Sequence, residues 1–260
     1  MNPIQKPCPI CGFPPVEHFQ AKWLAASKCG STACGHIYAP EASIRHGVQQ
    51  HPEAARDAEK YRDRNERLVR HWVDRGLLKT GGTVLDFGAG AGHIAMTIRR
   101  LIPGIRVICM EADPVSQAFL RANGMEVVGR LEECDTDFDA VLLVEVIEHI
   151  DAPVELLALL KSRLKPGGRI FLSTPCGELR DGSRKTNAYD TPEHIHFFTE
   201  QSLRAALNKA GFANIEFLMV SALYPRGNGA FDNTLAFIKG IVKLIRAKMI
   251  GYSHLVALVS

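Results

Sequence analysis

No apolar run in this sequence reaches membrane-spanning length before a charge interrupts it, and the N-terminus, MNPIQKPCPICG, lacks the charged start and apolar core of a signal peptide. These two absences predict a cytoplasmic protein. A strong charge of one sign is also missing. The net charge of +3 over 260 residues is too mild for the dense phosphate neutralisation of a dedicated nucleic-acid binder, although it leaves an RNA substrate open. There is no internal repeat and no low-complexity tract. With 46% of residues hydrophobic, a chain of this length buries one substantial core and carries at most a small appendage.

What the chain does have is seven cysteines, and in a reducing compartment clustered cysteines point to a metal rather than to disulfides. Four of them, Cys8-x2-Cys11 and Cys29-x4-Cys34, fall in the first forty residues, where no helical period is visible. Four thiolates satisfy a tetrahedral structural zinc site with no position left for chemistry. The second spacing is longer than the common two, so His36 remains an alternative to Cys29. "CPICG" and "ACGH" resemble the two knuckles of a zinc ribbon, which gives a module over residues 1–45. Cys109, Cys134 and Cys176 are scattered and read as inert.

Residues 46–79 form a charged linking segment in which Tyr61, Leu68, Val69 and Trp72 fall at mostly helical spacings. From Thr80 onward, apolar strand-like runs alternate with helix-like ones: TVLDFG, HIAMTIRRL, IRVICME, PVSQAFLRAN, MEVVGR, FDAVLLVE, PVELLALLKSRL and GRIFLSTP. That order predicts a parallel sheet covered by helices on both faces. ANIEFLMVSAL and YSHLVALVS read as two further strands.

"VLDFGAGAGH" stands where the first strand turns into a helix, so its glycines let a ligand approach the backbone and the unpaired N–H groups of the helix start. The dinucleotide fingerprint G-x-G-x-x-G requires a third glycine where His93 stands, which argues against NAD. The spacing is instead Asp86-x-Gly88-x-Gly90-x-Gly92. Glu111 closes the second strand, where a carboxylate accepts both hydroxyls of an adenosine ribose.

These segments resemble the class I S-adenosylmethionine-dependent methyltransferases from about Thr80 to Ser260: VLDFGAGAG as the cofactor loop, CMEADP as the ribose-binding strand end, FDAVLLVEVIEHIDAP as the fourth strand and LKPGGRIFLSTP as the fifth. TPEHIHFFTEQSLRAALNKAGF narrows the resemblance to the subgroup with the ubiquinone-biosynthesis O-methyltransferases and enzymes acting on sugars. It implies an α/β, Rossmann-like, seven-stranded mixed sheet over 80–260 beside the N-terminal zinc ribbon. It also implies S-adenosylmethionine held by Asp86, Gly88, Ala89, Gly90, Gly92, Glu111, Ala112, Leu131 and Glu145. Relatives often place an acid after the third strand to meet adenine. This chain has Arg130 there, so adenine falls to the backbone near Leu131 or to Glu132. The ubiquinone enzymes also carry a Glu-x-x-Glu-His similar to Glu145, Glu148 and His149. A helical turn starting at Glu145 would gather these three on one side, either for Mg²⁺ or Mn²⁺ or as a structural shaping of the cofactor site.

Thr199 reads as an N-cap and Gly211 as a helix end, so "EHIHFF" closes the loop after the fifth strand, at the edge where open α/β sheets bind ligands. In an extended segment His194 and His196 point one way, with Ile195 and Phe197 turned to the core. The readings are a metal pair, a proton acceptor for the incoming nucleophile, or a loop anchor. His194 leads as general base, with Glu145, His149 and His196 facing the acceptor. The expected reaction is methyl transfer to a small molecule or sugar, most simply to oxygen. The rivals are a ribosomal RNA base methyltransferase and an inactive cofactor-binding interaction protein. Residues 223–250 form a basic insertion before the last strand. Within it Leu235 to Ile250 is amphipathic, either a core cover or a contact with a membrane surface or lipid-linked substrate.

Overall fold

The computed structural model describes residues 6–20, 25–39, 54–177, 193–218 and 254–260. Eleven strands and five α-helices are described: β1 Pro15–Gln20, β2 Ala25–Cys29, β3 Ile37–Tyr38, α1 Ala54–Asp74, β4 Thr83–Phe87, α2 His93–Leu101, β5 Arg106–Met110, α3 Pro114–Ala122, β6 Glu126–Val128, β7 Phe138–Val144, α4 Pro153–Ser162, β8 Leu164–Pro175, β9 His196–Phe197, α5 Glu200–Lys209, β10 Ile215–Phe217 and β11 His254–Val259. The basic segment 223–250 lies outside the described residues.

Seven strands form one sheet in the order β10-β11-β8-β7-β4-β5-β6. Neighbours from β8 through β6 pair in parallel, and β11 runs antiparallel to both β8 and β10, which makes the sheet mixed. Every residue of β4 is buried, as a central strand covered on both faces requires. The pleat sends alternate side chains to two cores. Leu85, Val141, Leu143, Ile170 and Leu172 meet Leu157 and Leu160 of α4 and Leu203 and Leu207 of α5. On the other face Val84, Leu142 and Phe171 meet Leu68, Val69 and Trp72 of α1 and Ala95 and Ile98 of α2. Among the described residues no helix is long and apolar enough to cross a membrane.

The N-terminal segment builds a second sheet of order β1-β2-β3-β9. Its fourth strand comes from the other end of the chain: Ile37 pairs with Phe197 and Tyr38 with His196, and the Ala39 N–H donates to the Ile195 carbonyl at 2.9 Å. Cys8, Ile10, Cys29, Cys34 and Tyr38 belong to the same core as α4 and α5. The small N-terminal sheet with its four cysteines therefore packs into the core of the larger sheet. Lys209 Nζ donates to the Ile10 carbonyl at 2.7 Å, and the Gln201 amide donates to the Thr32 carbonyl, so α5 is tied to both knuckles.

Candidate functional site

The glycine loop between β4 and α2 bends through left-handed positions, with φ of +73°, +53° and +70° at Gly88, Gly90 and Gly92. The three glycines answer different constraints. A Cβ on Gly88 would lie 2.6 Å from Val146 Cγ2, and one on Gly92 would lie 2.2 Å from Leu120 Cδ2, so packing excludes side chains there. A Cβ on Gly90 would meet nothing within 4 Å, which makes Gly90 the open lip of the loop. Beside it, Glu111 at the end of β5 accepts from the Gly90 N–H at 2.7 Å and from the Asp113 N–H at 3.0 Å. Asp113 caps α3 through the Val115 and Ser116 N–H groups. Gly90, Ala89 and Glu111 are half-buried and Ala112 is exposed, so this edge is open to a ligand.

Asp86 takes a different place. It is buried beneath the loop and accepts from the Ala95 N–H, and burial pushes its carboxyl up to about 7, with Glu111 adding to the rise. Leu131 is buried at the start of a 3₁₀ turn over Leu131–Glu133. Arg130 beside it pairs with Glu133 at 3.4 Å and is exposed.

Across the strand ends, Glu145 follows β7 with φ +56°, the only non-glycine positive φ among the described residues. The helical turn begins after it, as a 3₁₀ turn over Ile147–His149, so Glu145, Glu148 and His149 do not share one helical side as the spacing predicts. Glu145 instead accepts from Ser173 Oγ at 2.6 Å and pairs with His254 Nε2 at 3.2 Å. Burial alone would raise the Glu145 pKa, but the hydrogen bond and charge of His254, helped by Ser173, hold it below the usual value. The same hydrogen bond raises His254. His254 escaped the sequence reading because it opens a strand that reads as apolar.

His194 takes the place expected for Glu145: Glu148, His149 and His194 each direct one ligand atom into a common point, the three atoms lying within 4.8 Å of one another. Glu148 is 1% exposed, and its Oε2 accepts from Thr174 Oγ1 at 2.9 Å. Its Oε1 is buried with no hydrogen-bond partner and lies 4.0 Å from Nε2 of both histidines. Burial, reinforced by Glu145, pushes the Glu148 carboxyl up to about 8. His149 Nδ1 lies 3.1 Å from the Glu193 carbonyl, which only accepts, so the proton of neutral His149 sits on Nδ1 and Nε2 carries a lone pair. Its side chain is 31% exposed against 9% for His194, so His149 is the cluster's outward face.

His196 is buried with both ring nitrogens taken by protein: Nε2 is 2.8 Å from the Ile150 carbonyl and Nδ1 is 3.0 Å from His36 Nε2. The structure therefore separates the two histidines of "EHIHFF", one in the cluster and one in a buried tie. Phe197 turns into a small core with Phe19, Ala26 and Ile37.

Cys8, Cys11, Cys29 and Cys34 converge. Cys8 and Cys34 Sγ are 3.9 Å apart and Cys11 and Cys29 Sγ 3.3 Å, close to the roughly 3.8 Å edge of a tetrahedron with ~2.3 Å zinc–sulfur bonds. Cys8 is pulled down to about 5, chiefly by its hydrogen bond with Cys34, while Cys34 is pushed up by that same bond. Burial raises Cys29 to about 12. Thiols packed this way cannot all ionise unless a cation joins them, so the donor set fits Zn²⁺. His36 stays out of this group. It faces His196 and Ser202, which removes it as the alternative to Cys29.

The methyltransferase domain family matches residues 59–216, more than half of the chain. This chain belongs to that family. It is 32% identical over 112 residues to a ubiquinone biosynthesis O-methyltransferase of Xanthomonas axonopodis pv. citri, a match covering 40% of this chain and 47% of the relative. The corresponding enzyme of Pseudomonas paraeruginosa is 31% identical over 113 residues, 40% of this chain and 49% of the relative. The chain thus spans about half the length of the curated relatives it matches. A SAM-dependent methyltransferase from Archaeoglobus fulgidus shares the fold with a TM-score of 0.53 at 17% identity, covering 79% of this chain and 93% of that one. Human N-acetylserotonin methyltransferase does so with a TM-score of 0.52 at 16% identity, covering 79% and 54%. The class I methyltransferase domain that the resemblance implies is the one found.

Proposed function

We propose that the protein is an S-adenosylmethionine-dependent O-methyltransferase acting on a small hydroxylated molecule or a sugar. The observation that carries this reading is the pairing, at one end of the sheet, of the open loop lip at Gly90 and Glu111 with the Glu148–His149–His194 cluster. When bound, the cofactor supplies an electrophilic methyl group, so that an S–CH₃ bond breaks as an O–CH₃ bond forms. The protein then has to bind, align and deprotonate. Glu111 is placed to accept the ribose hydroxyls, Gly90 to admit the cofactor against the backbone, and Asp86 to hold the loop from below. The ion-paired Glu145 supplies a fixed negative charge on the acceptor side of the loop.

The acceptor's hydroxyl proton goes to Nε2 of His149, the most exposed member of the cluster, whose ring is oriented by the Glu193 carbonyl. His194, the residue favoured by the sequence, backs this position from the buried side. The naming of the Xanthomonas and Pseudomonas relatives as O-methyltransferases favours oxygen over nitrogen or carbon. The four cysteines hold a structural Zn²⁺.

A second reading concerns the same cluster, because the buried, unpartnered Glu148 Oε1 between two imidazoles also suits a divalent cation. Two imidazoles and one carboxylate fit Mn²⁺ or Zn²⁺ better than Mg²⁺. Mn²⁺ added to the zinc-loaded protein would lose its free-ion electron paramagnetic resonance signal on binding, and Glu148→Gln would restore that signal. Methyl transfer itself is tested by incubating the protein with methyl-labelled cofactor and a metabolite extract and identifying labelled products by mass spectrometry. On the acceptor so found, His149→Gln should lower turnover by about 10²–10⁴ while cofactor affinity holds. Full turnover in His149→Gln would remove the base assignment.

A further inference from the structure

His36 belongs to the four-cysteine segment, yet none of its side chain reaches solvent and neither ring nitrogen faces a cysteine. Its Nε2 lies 3.0 Å from His196 Nδ1, its Nδ1 lies 3.3 Å from Ser202 Oγ, and His196 Nε2 lies 2.8 Å from the Ile150 carbonyl. One end of this chain fixes the rest. A carbonyl only accepts, so neutral His196 carries its proton on Nε2 and leaves Nδ1 bare. His36 must then donate from Nε2, which leaves its own Nδ1 as an acceptor beside the Ser202 hydroxyl, whose one proton is shared between that nitrogen and the Thr199 carbonyl, each at 3.3 Å. The result is a directional series that starts beside Ser202 and runs His36 to His196 and His196 to Ile150.

The two ends of that series are the two segments that carry the acceptor-side cluster. Ile150 directly follows the Ile147–His149 turn, and Ser202 completes the capping box with Thr199 that starts α5 just after β9. His196 is two residues from His194, and between them the Ile195 N–H donates to the Glu148 carbonyl at 3.0 Å. Apolar side chains alone would fill this volume without needing partners for four buried polar atoms. A directional tie does what packing does not, because it fixes the rotation of each ring and the height of the turn against the strand.

We infer that His36 is a positioning residue for methyl transfer, holding through His196 the Glu148–His149–His194 cluster at the distance and orientation the acceptor requires. This rests on the functional reading above. It adds that the N-terminal module is part of the acceptor site and acts without touching the substrate.

The test uses the full, zinc-loaded chain and three proteins: wild type, His36→Phe, which keeps a ring but cannot donate, and His36→Gln, whose amide can donate to His196 Nδ1. Long-range ¹H–¹⁵N imidazole spectra of the wild type should show His36 and His196 both neutral with the proton on Nε2. In His36→Phe the His149 and His194 ring resonances should shift, zinc content and cofactor affinity should hold, and kcat should fall about 10- to 100-fold. His36→Gln should recover most of that loss. A proton on Nδ1 of either wild-type ring overturns the inference, as do unmoved His149 and His194 resonances in His36→Phe or equal turnover in all three proteins. The wild-type tautomers and the ring shifts are read without any acceptor, so they separate this inference from the functional one. Should the wild type transfer no methyl group to any hydroxylated acceptor, the functional reading falls and the positioning role falls with it, while the tautomers stand as measured. Should His36→Phe fail to fold, the wild-type tautomers and His36→Gln turnover still decide, since a loss of kcat in His36→Gln as large as in His149→Gln contradicts the recovery expected.

Discussion

The two halves of the proposed ligand-binding edge are built in opposite ways. On the cofactor side, the loop from Gly88 to Gly92 and the acid at Glu111 come from neighbouring strands twenty-odd residues apart, and they are held by backbone N–H groups in a half-open setting. On the acceptor side, Glu148, His149 and His194 are held by side chains and backbone from β8, β9, α5 and, through His36, from a module some 160 residues away. A local motif makes the first half. Long-range closure makes the second. The comparison teaches that a generic cofactor cradle can be built from one stretch of sequence, whereas a site that orders imidazoles in a buried setting requires the whole chain to have folded around it.

The sharpest way to break that comparison is to remove the thiolates. Protein made without chelators should hold one zinc per chain by elemental analysis, and Cys8→Ser or Cys34→Ser should lose it. Because Cys8 and Cys34 lie in the same core as α4 and α5, the loss should reach β9 and abolish methyl transfer while cofactor binding at the loop survives. His36→Gln should keep its zinc, since its ring does not approach the cysteines. If the cysteine variants retain full turnover, the acceptor half does not depend on the module, and the contrast collapses.

The next largest effect belongs to the cofactor half. Glu111→Ala removes an acceptor of two backbone N–H groups and the expected partner of the ribose hydroxyls. At about 1.5–3 kcal/mol for each of two hydrogen bonds to a charged group, cofactor affinity should fall by roughly 10²- to 10⁴-fold in calorimetry. The imidazole spectra of the acceptor cluster should not change. An unchanged affinity would move the ribose contact elsewhere.

The same contrast explains what the sequence disclosed. The alternating strands, the glycine loop, Glu111 and the Thr199 cap are local patterns, and each lies where the pattern puts it. The acceptor half was half-legible. "EHIHFF" identified His194 and His149 stood in the expected motif, but three features had no local signal. The β3–β9 pair is two residues long on each side, too short for any period. The left-handed turn at Glu145 carries no glycine to mark it, and it swings that acid to His254 while Glu148 turns inward. The separation of His194 from His196 depends on His36, which near a cysteine reads as a ligand until the fold turns it the other way.

The smallest expected effect concerns Asp86, the buried member of the cofactor half. Its folded pKa, about 7, stands above the ordinary 3.8, so the folded state holds a proton that the unfolded chain releases earlier. The sign follows. The favourable neutral form is fully present below pH ~4, and its contribution is lost as pH rises toward 7. Glu148, pushed up to about 8, acts with the same sign. Buried His36 and His196, held below the ordinary histidine value, act with the opposite sign over the same range, so the net change of the wild type mixes both and Asp86 alone accounts for a loss on the order of 2 kcal/mol from pH 5 to pH 8. Asp86→Asn has no charge to release there. It can keep the hydrogen bond from the Ala95 N–H through its side-chain oxygen, although its amide group introduces a buried donor that lowers stability at every pH. The absolute stabilities of the two proteins thus mix two effects, whereas the difference between pH 5 and pH 8 isolates the ionisation. Urea unfolding at both pH values should show the wild type losing more, or gaining less, from pH 5 to pH 8 than Asp86→Asn. Equal changes would mean that Asp86 ionises as freely as an exposed carboxylate, and that the loop is not closed over it as the structure places it.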